Sequence, residues 1–238
     1  MKVLIIGYGK MGRTIEALAR ERDHSIVAAI DSFSELKEAV NGHSSIDVAI
    51  EFSQPESAFE NIKFCLENSI PVVSGTTGWL DKRPAIEKIC TDLNGAFFYA
   101  SNYSIGVNLF FKLNSFLAGL MGDQSQYTPS MKEIHHTEKL DEPSGTAITL
   151  AEGIIEKNKR ISNWTLGKDV NSSNLSIESE RLGKVPGTHI VNYRSDIDRI
   201  EITHEAFGRE GFAMGALHVA EWVKDQKGVL SMDDFLKL

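Results

Sequence analysis

Gly7-Tyr8-Gly9-Lys10-Met11-Gly12 follows the apolar run Val3-Leu4-Ile5-Ile6 and opens a helical pattern that begins at Met11. A G-x-G-x-x-G placed between a strand and a helix makes a tight turn, lets backbone approach a pyrophosphate closely and aims a helix N-terminus at it. Asp31 closes the second predicted strand, about twenty residues past Gly12, where an acid hydrogen-bonds the ribose hydroxyls of an adenosine. Strand, glycine turn, helix and acid together predict a dinucleotide-binding βαβ unit. A methyltransferase-like nucleotide site and a purely structural turn are the competing readings of the same pattern.

The rest of the first hundred residues continues the alternation. Strands are predicted at 26–30, 48–52, 72–74 and 96–100, and helices at 11–22, 58–68 and 83–93. Strands alternating with helices imply right-handed crossovers and a parallel sheet, so this half is read as a doubly wound Rossmann domain, α/β in class. After Ser104 the texture changes. A long helix at 107–121 leads to a strand at 130–136, a polar loop at 137–144, a helix at 145–159 and strands at 176–181, 188–195 and 199–206. Residues 161–175 are polar and carry no clear pattern. Clustered strands with few helices predict a second α+β domain with an open mixed sheet. The expected division is 1–104 for the nucleotide domain and 105–206 for substrate binding and oligomerisation. The helix at 211–227 lies in a tail, 207–238, that returns to pack on the first domain.

Composition narrows the function. With 25 basic and 33 acidic residues the net charge is −8, and the pI near 5.4 argues against nucleic-acid binding, which rests on clustered Lys and Arg. A small-molecule ligand fits better. Two cysteines, Cys65 and Cys90, are too few for a disulfide framework and lack paired metal-ligand spacing, which points to the reducing cytoplasm. Residues 105–122 form the most apolar long stretch, but Lys112 and Asn114 interrupt it and it falls short of the ~20 residues of a membrane span. No membrane partner is expected.

Two more loops follow predicted strands, where open α/β sheets bind ligands: Gly75-Thr76-Thr77-Gly78 and Ala100-Ser101-Asn102-Tyr103. Plain strand-to-helix turns are the alternative reading of both. A third constellation runs from Glu133 through His135, His136 and Lys139 to Ser144-Gly145-Thr146. An imidazole and an ammonium at a strand end can converge on a small anion. Histidine titrates near neutrality, as a general acid must, and bare amides at a helix start suit a carboxylate. A solvated His pair and an ordinary Ser N-cap are the bland alternatives. Metal ligation is not expected, because adjacent histidines point to opposite sides of a strand and no cysteine is near. His189 and His204 read as structural, and Phe110, Phe111 and Phe116 as core.

These segments together resemble the 4-hydroxy-tetrahydrodipicolinate reductase (dihydrodipicolinate reductase) family of bacterial lysine and diaminopimelate biosynthesis, over nearly the full chain. The matching stretches are GYGKMG at 7–12, EFSQP at 51–55, GTTGW at 75–79, SNYSIGVN at 101–108, EIHHTEKLDEPSGTA at 133–147, RLGKVPGTH at 181–189 and EITHEAFGREGFAMGA at 201–216. The resemblance implies an NAD(P)H-dependent oxidoreductase that reduces a cyclic dicarboxylate and assembles as a homotetramer. It implies His135 as proton donor, Lys139 as second catalytic residue, and His136, Gly145 and Thr146 on the substrate carboxylates. Gly7, Tyr8, Gly9, Lys10, Met11, Gly12, Asp31, Gly75, Thr76, Thr77, Ala100, Ser101, Asn102 and Tyr103 would line the cofactor, with Arg209 and Phe212 closing over the nicotinamide.

Departures from the family pattern are modest: Glu51 stands where Asp is usual, Ser32 where NADP-using relatives place Arg, and the stretch from Asp31 to Asp47 is short. Asp31 without a neighbouring Arg leans towards NADH over NADPH, although Lys10 and Lys37 are candidate cations for an extra phosphate. A non-catalytic dinucleotide sensor is the rival class. It would have no use for His135, His136 and Lys139 beside Ser144-Gly145-Thr146.

Overall fold

Side chains of β1 (Lys2–Ile6) alternate between two cores, Val3 and Ile5 joining one and Leu4 and Ile6 the other, all essentially without solvent contact. Only a sheet covered on both faces buries a strand in this way. The computed structural model describes residues 1–42, 45–167, 173–208 and 210–237. Two units are separable within it: Met1–Ile105 with Glu210–Leu238, and Gly106–Arg209.

In the first unit β1 lies between β2 (Ser25–Ile30) and β3 (Val48–Glu51), and the sheet continues through β4 (Val72–Ser74) and β5 (Ala96–Tyr99). All these neighbours run parallel. On one face pack α1 (Lys10–Glu21) and α7 (Glu210–Val223), through Ile15, Ala19, Ala213 and Leu217. The opposite face is covered by α2 (Phe33–Gly42), α3 (Pro55–Glu67) and α4 (Arg83–Asp92), through Leu36, Ile62 and Ile86. The Rossmann architecture expected from the alternation is therefore present. Close approach of α7 depends on Gly215, where a Cβ would fall 1.8 Å from the Tyr103 carbonyl oxygen.

In this unit the sequence reading misses three elements besides a single 3-10 turn at Leu80–Lys82. The first is α2, which buries only Leu36 and Ala39, too thin an apolar stripe to announce a helix. The others follow α7, which stops at Val223, short of the predicted 211–227. The chain then forms β11 (Gly228–Leu230), a sixth parallel strand beside β5, and α8 (Met232–Leu236). A three-residue strand has no room for a period, so its partner far upstream determines it.

The second unit is a five-stranded mixed sheet ordered β10-β9-β6-β8-β7, formed by β6 (Thr128–His135), β7 (Asn163–Leu166), β8 (Asn174–Arg181), β9 (Gly187–Arg194) and β10 (Arg199–Ala206). The pairs β6–β8 and β7–β8 are parallel, and β6–β9 and β9–β10 antiparallel. β7 falls within the segment left unassigned by pattern, of which 168–172 lie outside the described residues. Residues of α5 (Ile105–Met121) and α6 (Gly145–Lys157) join Met131, Ile177, Val191 and Tyr193 in one core. Strand period 2 carries that face from Met131 to Glu133 and His135, which are also buried. Register then sets their neighbours: Glu133 opposes His189 on β9 and Ser179 on β8, and His135 opposes Arg181.

Candidate active site

The glycine loop of the first unit is shaped by contacts that only glycine permits. Gly7 has φ +93°, and a Cβ there would fall 2.1 Å from the Phe52 carbonyl oxygen; one at Gly12 would fall 2.2 Å from the Gly7 oxygen. Gly9, the N-cap of α1, is exposed with nothing within 4 Å of a Cβ position. It has no side-chain cap, so the first amides of α1 face outward, as an anion at a helix N-terminus requires. The Tyr8 amide donates to Asp31 Oδ1 at 2.6 Å, which ties the loop to the end of β2. The Tyr8 hydroxyl bonds Glu16. This cradle fits the pyrophosphate and ribose of a dinucleotide.

The neighbouring loops hang from Glu51, whose carboxylate has no solvent contact. It accepts from Ser74 Oγ at 2.6 Å, Thr76 Oγ1 at 2.9 Å, the Ser53 amide at 3.1 Å and the Ser53 hydroxyl. Phe52 fills the space between: its ring lies where a Cβ on Gly75 would fall, at 2.1 Å. Tyr103 is buried and donates to the Ser74 carbonyl at 2.6 Å. Thr77 and Ser101 are exposed at the ends of β4 and β5. Sequence reasoning left Glu51 without a role, yet four donors converge on it. The only signal was an acid in the last position of a buried strand.

In the second unit the register gathers a buried charged group. Glu133 has no solvent contact and accepts from the Ser144 amide at 3.1 Å, Ser179 Oγ at 2.8 Å and the Arg181 guanidinium at 3.3 Å. His135 Nδ1 approaches its Oε2 at 3.3 Å, a close contact whose geometry falls short of an aligned hydrogen bond. Burial pushes the Glu133 carboxyl up, but His135, Ser144 and Ser179 together outweigh it and hold it well below the usual carboxylate range. His189 packs edge-on to His135 with ring centroids 5.1 Å apart, and its Nε2 lies 3.2 Å from Ser144 Oγ. Burial, with His135 close by, pushes His189 down to about 4, so it is neutral at pH 7. Ligand atoms of Glu133, His135 and His189 lie within 4.8 Å of one another, the one metal-sized group among the described residues. Its carboxylate is already taken by the donors just named.

His136, the next residue on β6, is half-buried and faces an open depression of about 470 Å³ that also includes Thr137, Gly183, Lys184 and Pro186. Alternation thus separates the two histidines, His135 towards Glu133 and His136 towards the depression. Lys139 is partly exposed and donates to Asp141 Oδ1 at 2.8 Å, holding the Asp141 carboxyl below its usual range. Arg181 pins this loop through the carbonyls of Lys139 at 3.3 Å and Asp141 at 2.6 Å. Ser144 caps α6, its hydroxyl accepting from Ala147. Gly145 and Thr146 are the first helical residues, whose amides have no intrahelical acceptor, and Gly145 has open space around it. Phe212 is half-buried on α7; Arg209 lies outside the described residues. Ser179 and Arg181 were missed as partners of this cluster, since strand pairing is what brings them there, and Glu133, though inside the motif singled out, was given no role.

Family profiles for the N-terminus and the C-terminus of dihydrodipicolinate reductase match residues 1–103 and 106–236. The chain is 49% identical over 236 residues to 4-hydroxy-tetrahydrodipicolinate reductase from Christiangramia forsetii, covering 99% of this chain and 98% of that one. Its fold is similar to the dipicolinate-bound dihydrodipicolinate reductase of a Paenisporosarcina species, with TM-score 0.79, 22% identity and 99% of each chain covered. A more distant fold likeness is scyllo-inositol dehydrogenase from Lactobacillus casei, with TM-score 0.52, 13% identity, and 94% and 87% of the two chains covered. A glycine loop alone is common to many dehydrogenases, but both halves here match one family, and the chain belongs to the dihydrodipicolinate reductases, oxidoreductases that reduce the dihydrodipicolinate intermediate of lysine biosynthesis.

Proposed function

We propose that this chain reduces 4-hydroxy-tetrahydrodipicolinate, whose 4-hydroxyl group leaves as water, to tetrahydrodipicolinate with NADH used at least as well as NADPH, and that His135 is the proton donor. The observation that carries the acid assignment is the contact of Glu133 with His135 Nδ1 at 3.3 Å. A buried carboxylate facing Nδ1 fixes how the ring is turned and which nitrogen it presents. Nε2 is then the nitrogen left to exchange a proton with a ligand, delivered to the ring atom that reduction leaves electron-rich. Lys139 supplies a second positive charge near that atom. His136 and the outward amides of Gly145 and Thr146 hold the substrate carboxylates, since an N-terminal helix end favours an anion. Because the protein carries a net charge of −8, long-range attraction does not bring in a dianion, and this local cluster does so instead.

In the first unit, Gly7 through Gly12 would hold the pyrophosphate and Asp31 the adenosine ribose. Gly75, Thr76, Thr77 and Ala100 to Tyr103 would flank the remaining half of the nucleotide. When bound, the reduced nicotinamide supplies the hydride. Asp31 sets the cofactor preference, because a carboxylate at the ribose repels a 2′-phosphate and no Arg follows it. The buried free thiols Cys65 and Cys90 suit a reducing cytoplasm, and among the described residues no helix is long and apolar enough to cross a membrane. We further propose a homotetramer.

A coupled assay tests the reaction. Aspartate semialdehyde, pyruvate and the preceding synthase are mixed with this protein, and loss of absorbance of the reduced cofactor is followed. Turnover that requires the synthase is the expected result. Oxidation of NADH at the same rate without synthase, or none with either cofactor, would overturn the reading.

A further inference from the structure

The turn that follows β2 carries a second carboxylate besides Asp31. Residues just past the second strand of a dinucleotide-binding βαβ unit face the adenosine ribose and, in NADP enzymes, its 2′-phosphate. Backbone amides and a guanidinium are the natural donors to such a phosphate. Here the amides are occupied: those of Asp31 and Ser32 each donate to Glu35 Oε2 at 3.0 Å. The arrangement is reciprocal, because Ser32 Oγ accepts from the Glu35 amide at 3.3 Å. It is the capping box of α2.

Charge compounds the occupancy. The Asp31 and Ser32 donors hold the Glu35 carboxyl below its usual range, so it is an anion at neutral pH. The Asp31 carboxylate lies at the same strand end, fixed by the Tyr8 amide at 2.6 Å. Two nearby cations are engaged elsewhere. Lys37 Nζ stands over the Phe33 ring, 4.7 Å from its centroid, and Arg13 lies over the Tyr8 ring at 5.4 Å with its Nε on the Tyr8 carbonyl at 3.3 Å. Among the described residues Glu35 has no ion-pair partner.

We propose that Glu35 determines cofactor specificity: its carboxylate fills the turn that a 2′-phosphate would need and turns NADPH away in favour of NADH. The inference rests on the proposed preference for NADH and gives that preference a second anchor beyond Asp31.

Two variants separate charge from occupancy. Glu35→Gln removes the charge but keeps an acceptor that completes a capping box, whereas Glu35→Ala also frees the Asp31 and Ser32 amides. Affinities of the ligand-free protein for NADH and NADPH are measured by isothermal titration. Glu35→Gln is expected to shift the NADPH-to-NADH affinity ratio towards NADPH by roughly five- to tenfold, the scale of one exposed charge against a phosphate dianion. Glu35→Ala should shift it at least as far, with NADH affinity within about twofold of wild type in both. The shift should shrink at high salt, as an interaction between exposed charges does. A ratio unchanged in both variants, while wild type favours NADH, overturns the role of Glu35 and leaves the cofactor reading standing. Wild type binding NADPH tenfold or more tightly than NADH overturns both. Equal loss of both cofactors in Glu35→Gln would assign the residue to the fold of the turn alone and likewise overturn the inference.

Discussion

A fully buried carboxylate persists only when its donors replace the water it has lost. Glu133 and Glu51 both meet that condition, each with several donors and no solvent contact. Glu133 differs because one of its neighbours is His135, the proposed proton donor. Replacing His135 by Gln keeps much of the volume and a nitrogen donor but removes the titrating ring. His135→Gln should lower kcat by about 10²- to 10⁴-fold, the usual worth of general acid catalysis, with NADH affinity near wild type. Lys139→Ala should lower kcat and also raise KM, because its charge acts on the bound substrate as well. Steady-state kinetics with a parallel NADH titration checks both, and a His135→Gln enzyme within a few-fold of wild type at saturating substrate would show the acid to be another group. At this scale the sequence was legible only locally. The i, i+2 spacing of Glu133 and His135 puts both on one strand face, but nothing in the spacing announces Ser179, Arg181 or His189 as their partners.

Elements place these residues, and two glycines of one loop show how differently they can do so. A methyl group on Gly12 meets the Gly7 carbonyl oxygen at 2.2 Å, whereas one on Gly9 meets nothing within 4 Å. Gly12→Ala should therefore lose about 1–3 kcal/mol of stability, the cost of overpacking a tight site, together with cofactor affinity. Gly9→Ala should keep the melting temperature near wild type and lose cofactor affinity alone, because the space it fills belongs to the proposed pyrophosphate site. Thermal melts with and without NADH separate the two, and equal melting temperatures for both variants would refute the assignment. The helix α2 tells the same story from the side of legibility. Its apolar stripe is too thin to read, but Ser32 with Glu35 three residues on spells a capping box. That signal was present in the sequence and marks the start of the helix.

For the whole molecule, the surface of α5 is the informative feature. Leu109, Leu113, Phe116 and Leu120 recur at helical spacing and are 46%, 49%, 67% and 58% exposed, a continuous apolar row on a helix whose other side enters the core; Phe116, expected in the core from its sequence, therefore lies on the surface, because its helical position falls on the outward row. Contiguous apolar surface of this kind marks a contact with another chain. It supports the proposed homotetramer, and most soluble oligomers close by symmetry around self-complementary patches. Light scattering at micromolar concentration should give four times the chain mass of 26.4 kDa. Replacing Leu113 and Phe116 together by Glu should yield smaller species, and a monomeric wild type would refute the proposal.

The sequence by itself determined the nucleotide-binding half in outline, because strand, glycine turn, helix and acid follow one another within about thirty residues and each step is a local preference. It also determined the family, since the motifs around His135 and Lys139 are contiguous in the chain. Tertiary structure alone decided which groups surround them. Antiparallel pairing of β6 with β9 sets His189 against Glu133, and parallel pairing with β8 sets Ser179 and Arg181 there, across separations that no periodicity spans. The same holds for β11, whose three residues become a strand because β5 offers an open edge. A strand's partner is chosen by hydrogen bonds and burial summed over the whole sheet, so it is a property of the fold and not of the segment.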